Sequence, residues 1–242
     1  MGNWQNTNTL DLHGNGKQNG LRARKLNCDN KGYKDVFNSY LVSHAYYEGG
    51  LEFPVIQPTD SVPGRLVAFS KAISSKDHDQ WVHFFEYDYQ FERVWRSPRR
   101  YLPILKRFQG VILPDFSLYR DMPLCMQTWN IYRSRAIGTW LQDNGVDVIV
   151  NMRFGDERTF PLCCDGAPHG CVIAVGTNGA IDDEADRSFM RDGIDWIVGE
   201  LAPTTIVVYG SAPEDIFGRH SKAGIRIVAF ESDASIAHKG GK

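Results

Sequence analysis

The chain has 242 residues, with 27 Lys or Arg against 29 Asp or Glu, so its formal net charge is -2. That length predicts one domain, or one domain with an extension. The near-neutral charge argues against a histone-like coating of nucleic acid, which needs a large positive excess. The hydrophobic fraction of 42% excludes global disorder.

The sequence also indicates a compartment. The N-terminus has no basic segment followed by an apolar stretch, and no run of about 18 or more apolar residues occurs. We therefore expect no signal peptide, no membrane span and a cytoplasmic location. The five cysteines are an odd number, which fits reduced thiols in that compartment.

Residues 1–35 are rich in Asn and Gly and show neither helical nor strand periodicity. We predict a flexible arm there, followed by a single α/β domain over residues 36–242. The arm carries a short basic cluster, Arg22–Lys25, which is either solvated or in contact with nucleic acid phosphates. The small size of the cluster favours the solvated interpretation.

The first half of the domain contains short strands and one helix. Pro54 marks an edge strand because proline cannot donate to a ladder. Pro98 opens a helix, in which Pro103 predicts a short or kinked course. The predicted elements in chain order are an edge strand at 51–56, strands at 66–69 and 81–87, a helix to Phe108 and a strand at 110–114.

The second half alternates more regularly. A long helix from Pro123 to about Asn144 is stopped by Gly145. The apolar segment Phe160–Cys164 is interpreted as a further strand. The other predicted elements are strands at 146–150, 171–175, 204–209 and 225–230, a helix at 186–201 and a short helix or turn at 213–222.

This alternation predicts an α/β fold with a mostly parallel sheet of about seven strands and flanking helices. The strands are near-continuous apolar runs, which is typical of strands covered on both faces. We favour a barrel-like sheet, an incomplete or distorted TIM-like form, over an open doubly wound sheet. In both architectures ligands bind beyond the carboxyl ends of the strands.

The residues after each predicted strand are therefore the candidate site. Two carboxylates, Asp115 and Asp165, are predicted to be catalytic. Asp115 leaves an apolar strand beside Phe116, so it is either a desolvated general acid or a cap of the following turn. Residues predicted to bind substrate are Ser117, Tyr119, Gln127, Asn130, Arg133, Asn151, Arg153, Thr177, Tyr209 and Gly210.

The long helix carries a polar stripe at helical spacing, formed by Gln127, Asn130, Ser134 and Gly138. If buried, such a stripe needs hydrogen-bond partners. Four interpretations of this stripe are open: it binds substrate, it reads the edge of a base, it ties the helix to a neighbouring loop, or it faces water. Arg133 and Arg135 are the adjacent cations, and the solvated interpretation is favoured more for Arg135 than for Arg133.

No metal or cofactor is predicted. Cys163, Cys164, His169 and Cys171 are clustered, but adjacent cysteines in an extended segment point to opposite faces, which leaves a zinc site one ligand short. Buried free thiols are the favoured interpretation. A P-loop, a dinucleotide fingerprint and a nucleophile elbow are all missing.

The segment from Gly110 to Pro123 has the sequence GVILPDFSLYRDMP. Together with Gln127 and the residues after it, this segment resembles the core of the DUF4417 family, a domain of unknown function found in bacteria, phages and other mobile elements. Shorter similar pieces at 53–56, 82–85, 151–154, 164–166, 174–177 and 209–210 extend the resemblance over about residues 50–212. The resemblance implies that the motif positions are Asp115, Ser117, Gln127, Asn130, Arg133, Asp165, Tyr209 and Gly210.

Three functions remain open, one of them a structural role in which the polar strand ends act only as caps and turns. Another is an enzyme acting on a nucleotide, nucleoside or nucleic acid base, with paired carboxylates cleaving or transferring an N-glycosidic bond. The alternative to the enzyme is a non-catalytic protein that binds a nucleotide, DNA or a host protein, such as an inhibitor of a host defence system. We place the enzyme slightly ahead, and we expect no membrane partner. The oligomeric state is not readable from the sequence.

Overall fold

The structure is a computed structural model that describes residues 21–22, 35–233 and 235–236. The predicted arm therefore lies outside the described residues, except for Leu21–Arg22 and residue 35. Most of the basic cluster Arg22–Lys25 also lies outside them. Leu21–Arg22 forms a strand, β1.

A small antiparallel sheet precedes the main domain. Strand β1 pairs with β2 (Tyr46–Glu48), which pairs in turn with β3 (Phe53–Pro54). The edge strand predicted around Pro54 is β3, at the edge of this sheet. A 3-10 helix, Ser39–Val42, lies between β1 and β2 in the chain and packs on the long helix described below.

The main sheet has seven parallel strands whose order in space is their order in the chain. This confirms the predicted fold, because each parallel crossover carries the chain to the next position in one direction. The strands are β4 (Leu66–Ala68), β5 (Trp81–His83), β6 (Gly110–Ile112), β7 (Val148–Asn151), β8 (Val172–Gly176), β9 (Thr205–Tyr209) and β10 (Arg226–Phe230). Within the described residues, the helices that flank them are α1 (Phe69–Ala72), α2 (Asp88–Arg96), α3 (Pro98–Leu105), α4 (Leu124–Asp143), α5 (Thr159–Cys164), α6 (Glu184–Leu201) and α7 (Glu214–Lys222).

Both faces of this sheet are apolar, which explains the continuous apolar runs in the sequence. Alternate residues point to opposite faces. Residues such as Val82, Val111 and Ile206 pack outward in the main core. The inner face forms a smaller cluster of Trp81, Ile112, Ile149, Val172, Ala174 and Val207.

The sheet curls into a half-barrel around that inner cluster. The indole of Trp81 occupies space inside the curl that Gly110 leaves free, since a Cβ on Gly110 would lie 2.5 Å from the ring. Strands β4 and β10 form the two edges and are not paired with each other in the described chain. An ion pair between Lys71 and Asp233, 2.6 Å apart, bridges the residues that follow these edge strands.

Two local predictions were wrong. The predicted strand 81–87 ends at His83, and helix α2 begins at Asp88, where no helix was expected. The predicted strand Phe160–Cys164 is instead helix α5. Its Pro161 lies in the first turn, where a proline is tolerated because its missing N–H has no intrahelical partner there.

Within the described part of the chain, every helix is too short or too polar to span a bilayer.

Candidate functional site

A cleft of about 850 Å³ opens at the carboxyl ends of the strands. This is the edge at which ligands bind in parallel α/β proteins. Residues from the segments after six of the seven strands line it, together with the last residues of β8 and β9. The lining charged groups are Lys71, Glu86, Asp88, Asp115, Arg153 and Asp233, and the lining aromatic residues are Phe85, Tyr87, Tyr89, Tyr119 and Tyr209.

Two serines, Ser70 of helix α1 and Ser117 of the loop after β6, fix two of these carboxylates. Glu86 and Asp88 both follow β5. The backbone N–H of Ser70, after β4, donates to Glu86 at 3.0 Å, and its hydroxyl also donates to Glu86. On the other side, Ser117 donates to Asp88 through its N–H at 3.2 Å and its hydroxyl at 2.8 Å. The loop after β5 is thus held in place from both sides.

Asp115 is a partly buried carboxylate of the cleft, with its side chain 15% exposed. Its Oδ1 accepts a hydrogen bond from the amide of Asn151 at 2.7 Å, and its Oδ2 lies 3.9 Å from the guanidinium of Arg153. Both contacts favour the ionised form, but burial outweighs them and raises the pKa of Asp115. The nearby charge of Asp88 acts in the same direction as burial. Such a carboxyl group is suited to general acid catalysis.

Two polar atoms next to Asp115 are buried and have no hydrogen-bond partner within the described chain. They are the carbonyl oxygen of Asn151 and Nε of Arg153. Buried polar atoms are normally satisfied, so each unpartnered one calls for an explanation. One is an acceptor and the other is a donor. Arg153 lines the cleft, whereas Asn151 lines a small separate cavity beside it.

Aromatic rings form one wall of the cleft. Phe85 and Tyr209 stack with centroids 4.9 Å apart, and His83 lies 4.5 Å from Tyr209. Gly176 makes this arrangement possible because a Cβ there would lie 2.9 Å from Phe85. Burial lowers the pKa of His83 to about 4, so its imidazole is neutral at pH 7. Its Nδ1 accepts a hydrogen bond from the N–H of Phe85 at 3.2 Å.

Five predicted site residues line the cleft: Asp115, Ser117, Tyr119, Arg153 and Tyr209. A sixth predicted residue, Asn151, is linked to the cleft by the hydrogen bond that it donates to Asp115. Neither Asp115 nor Ser117 caps the helix α4, which has no side-chain cap. Asp115 instead bonds to Asn151, and Ser117 bonds to Asp88.

The polar stripe of α4 ties the helix to neighbouring loops. Gln127 donates to the backbone oxygen of Met122 at 2.9 Å and to Asp156 at 2.7 Å. Asn130 donates to the backbone oxygen of Ser117 at 2.7 Å. These two residues therefore support the loops of the cleft and do not line it.

Arg133 also acts as a support. Its guanidinium pairs with Glu92 at 2.8 Å, donates to Asn130 at 2.7 Å and lies 3.8 Å from the centroid of the Phe116 ring. These contacts fix α4 against α2 and against the loop after β6.

Thr177 and Gly210 join the loops after β8 and β9. The Thr177 hydroxyl donates to the backbone oxygen of Ser211 at 2.7 Å. Gly210 has φ of 117°, which favours glycine, and a Cβ there would lie 2.5 Å from the Thr177 hydroxyl. The backbone N–H of Gly210 donates to Phe230 of the last strand.

Asp165 does not join Asp115. It ends helix α5, which returns the chain toward the start of β8, and it lies against Glu48 and Gly49 of the small sheet. Burial, with a smaller effect from Glu48, raises the pKa of Asp165 to about 6. The predicted pairing depended on interpreting Phe160–Cys164 as a strand, whose carboxyl end would have faced the cleft.

The solvated position favoured for Arg135 was wrong. Its side chain is 1% exposed and donates to the backbone oxygen of Cys163 at 2.6 Å, with a longer contact to that of Asp165. These carbonyls lie at the C-terminal end of α5, where a cation is favourable. Cys163, Cys164 and Cys171 are buried free thiols.

The main residues left out of the predicted site are His83, Lys71, Glu86, Asp88 and Asp233. The expectation that site residues follow the strands already covered the two carboxylates after β5, but no local pattern in the sequence linked them to Asp115. Lys71 and Asp233 follow the edge strands and meet only because the sheet curls. In the described part of the chain, no three His, Cys, Asp or Glu side chains are grouped as metal ligands.

The fold and site together define an α/β half-barrel protein with an acidic, aromatic-lined cleft at the carboxyl edge of its sheet. The chain belongs to the DUF4417 family, a domain of unknown function, whose model matches residues 45–230. The match extends beyond the 50–212 predicted from the resemblance.

Relatives occur in phages. The chain is 33% identical over 201 residues to the Gene 1 protein of Mycobacterium phage D29, covering 79% of this chain and 71% of that protein. It is 35% identical over 163 residues to the Gene 1 protein of Mycobacterium phage L5, covering 66% of this chain and 71% of that protein. No solved structure matches the chain.

Proposed function

We propose that the protein is an enzyme that cleaves or transfers the N-glycosidic bond of a nucleoside, a nucleotide or a base in nucleic acid. The observation that carries this proposal is Asp115, a partly buried carboxyl group with a raised pKa in a cleft that also holds the anchored carboxylate of Asp88. Two carboxyl groups in different environments suit the acid and base roles of glycosidic chemistry. Asp88 replaces Asp165 as the proposed second carboxylate.

The proposed step balances with water as co-reactant. Protonated Asp115 donates its proton to a ring nitrogen of the departing base, and the electron pair of the C–N bond leaves with that base. Water adds to the anomeric carbon and passes its proton to Asp88. The products are the free base and a sugar whose anomeric carbon carries a hydroxyl group. An acceptor hydroxyl in place of water gives transfer.

The aromatic and polar lining supports a base as the bound group. The rings of Phe85 and Tyr209, with Tyr119 at the mouth, offer surfaces for stacking. The guanidinium of Arg153, which lines the cleft, supplies a donor for the edge of a base. The relatives are phage proteins, and we place the proposed reaction in a phage setting on that ground alone.

The test is incubation of the full chain with the common nucleosides, nucleotides and NAD, followed by mass spectrometry for released base. We expect the wild type to release base from at least one of them and Asp115→Asn to lose about 100-fold or more of that activity. The matched control is Asp143→Asn, which lies at the end of α4 outside the cleft and should act like the wild type.

Three outcomes would contradict parts of this assignment. Turnover by Asp115→Asn at the wild-type rate would remove its role as the acid. Loss of turnover in Asp165→Asn at unchanged stability would restore the pairing expected from the sequence. Ligands that stay intact but raise the melting temperature would identify the alternative, a non-catalytic binder.

A further inference from the structure

The positive charge of this near-neutral chain is concentrated in one segment. Residues 93–107 contain six cations and neither Asp nor Glu. The six, named here the basic ridge, are Arg93, Arg96, Arg99, Arg100, Lys106 and Arg107, and all are exposed. They lie on helices α2 and α3 and on the two residues that follow α3.

Little neutralises this ridge. Its one ion pair with a described residue is a long contact of 4.0 Å between Arg96 and Glu92, and that carboxylate is bound more closely by Arg133, at 2.8 Å. Arg93 and Arg100 both lie 5.9 Å from the ring centroid of Tyr101, so two like charges share one small surface. Exposed cations with so few ion pairs are the electrostatic signature of phosphate binding.

The ridge begins at the cleft. Tyr87 and Tyr89 line the cleft, and Arg93 and Arg96 follow Tyr89 at helical spacings of four and seven residues. That spacing places all three on one face of α2, over about 10 Å. The rings of Tyr87 and Tyr89 are stacked, with centroids 6.0 Å apart, and are 74% and 77% exposed.

The charges of the cleft and the ridge are opposite. The cleft is lined by four carboxylates, Glu86, Asp88, Asp115 and Asp233, against the two cations Lys71 and Arg153. A free nucleotide bound wholly inside would bring its phosphate charge against those carboxylates. A neutral base in the cleft, with the phosphates on the basic ridge, avoids this repulsion and places negative charge beside positive charge.

From this we infer that the substrate is a base within a single-stranded nucleic acid, whose backbone lies along the basic ridge while an unpaired base enters the cleft past Tyr87 and Tyr89. The inference rests on the function proposed above and narrows its substrate class. A single strand fits better than a duplex because its bases are free to stack on exposed aromatic rings and enter a cleft.

The experiment measures binding of 5′-fluorescein-labelled 20-mers of dT and of rU, and of a DNA duplex of the same length, by fluorescence anisotropy. We expect the full chain to bind at least one single strand more tightly than the duplex, and to bind it more weakly as salt rises from about 50 to about 200 mM. The double variant Arg96→Gln with Arg100→Gln should bind about tenfold more weakly. Tyr89→Ala should weaken binding about tenfold through lost stacking.

The matched control is Lys222→Gln with Arg226→Gln, which removes two exposed cations at the end of α7 and the start of β10, outside the cleft and the basic ridge. It should bind like the wild type. Wild-type binding by the ridge variant, equal loss in the control, a duplex bound as tightly as the single strands, or no binding of either strand would each overturn the inference.

A second readout separates this inference from the proposed function. Release of free base from a mixed-sequence 20-mer is followed by mass spectrometry, beside the same assay on free nucleosides. A chain that binds the strand through the ridge but releases no base contradicts the enzyme and leaves the strand-binding surface standing. A chain that releases base from nucleosides but binds no strand contradicts the surface and leaves the enzyme standing.

Discussion

The rings of His83 and Tyr209 lie with their centroids 4.5 Å apart, although three strands separate β5 from β9 in the sheet. In a flat sheet those strands would be about 19 Å apart, at the usual spacing of about 4.8 Å per strand. The curl of the sheet therefore closes most of that distance. It also gathers the segments that follow six strands around one cleft, one wall of which Tyr209 forms with Phe85.

Burial of His83 predicts a loss of stability in mild acid. Its pKa falls from 6.5 when unfolded to about 4 in the fold, so its stabilising effect is complete above pH 6.5 and is lost as pH falls toward 4. The shift corresponds to about 3 kcal/mol. Urea unfolding between pH 7 and pH 4 should show a smaller loss for His83→Gln than for the wild type. The exposed His44→Gln is the control, and an equal loss in all three proteins would contradict the assignment.

We expect any side chain in place of Gly110 to lower the stability of the fold. A Cβ there would lie 2.5 Å from the Trp81 ring, inside the curl of the sheet. Gly110→Ala should therefore destabilise the fold by about 1–3 kcal/mol, through overpacking. Gly199→Ala is the matched control because its Cβ meets nothing within 4 Å on helix α6, and it should stabilise by about 0.5–1 kcal/mol. Urea unfolding measures both, and similar effects at the two positions would contradict the packing argument.

We predict that the variant Asp165→Asn is more stable than the wild type at high pH. Burial raises the pKa of Asp165 from 3.8 to about 6, so its contribution is favourable below pH 3.8 and is lost as pH rises through 6. Asp165→Asn should gain about 1–2 kcal/mol over the wild type at pH 8, after discounting for partial exposure, and little at pH 4. Unfolding curves at both values test this. A difference independent of pH would show that the carboxyl group is not the cause.

Arg135 predicts a large loss on truncation to an apolar residue. Its buried guanidinium satisfies the backbone oxygen of Cys163 at the end of α5. Arg135→Met fills similar space but leaves that carbonyl group without its donor, so we expect a loss of about 2–3 kcal/mol. The exposed Arg226→Met should change stability by less than about 0.5 kcal/mol. Equal unfolding midpoints for the two variants would contradict the structural role of Arg135.

Part of the site could be predicted from one rule, that site residues follow the carboxyl ends of the strands. Asp115, Ser117, Tyr119, Arg153 and Tyr209 all line the cleft, because each follows or ends a strand whose apolar run is visible in the sequence. The rule failed at Asp165 because the apolar pattern of residues 160–164 does not distinguish a buried strand from a short buried helix. The polar residues of α4 were visible as a stripe, but their partners lie in loops distant in sequence.

The sequence by itself determined the order of the main-sheet strands, the parallel sheet and most of the polar residues at its carboxyl edge. These follow from local periodicity and from the handedness of crossovers, which need no knowledge of distant contacts. Only the tertiary structure decided how strongly the sheet curls and which of the polar residues meet. The curl depends on how Trp81 and its neighbours fill the inside of the sheet, and it brings Lys71 to Asp233 and His83 to Tyr209 across more than 120 residues of chain.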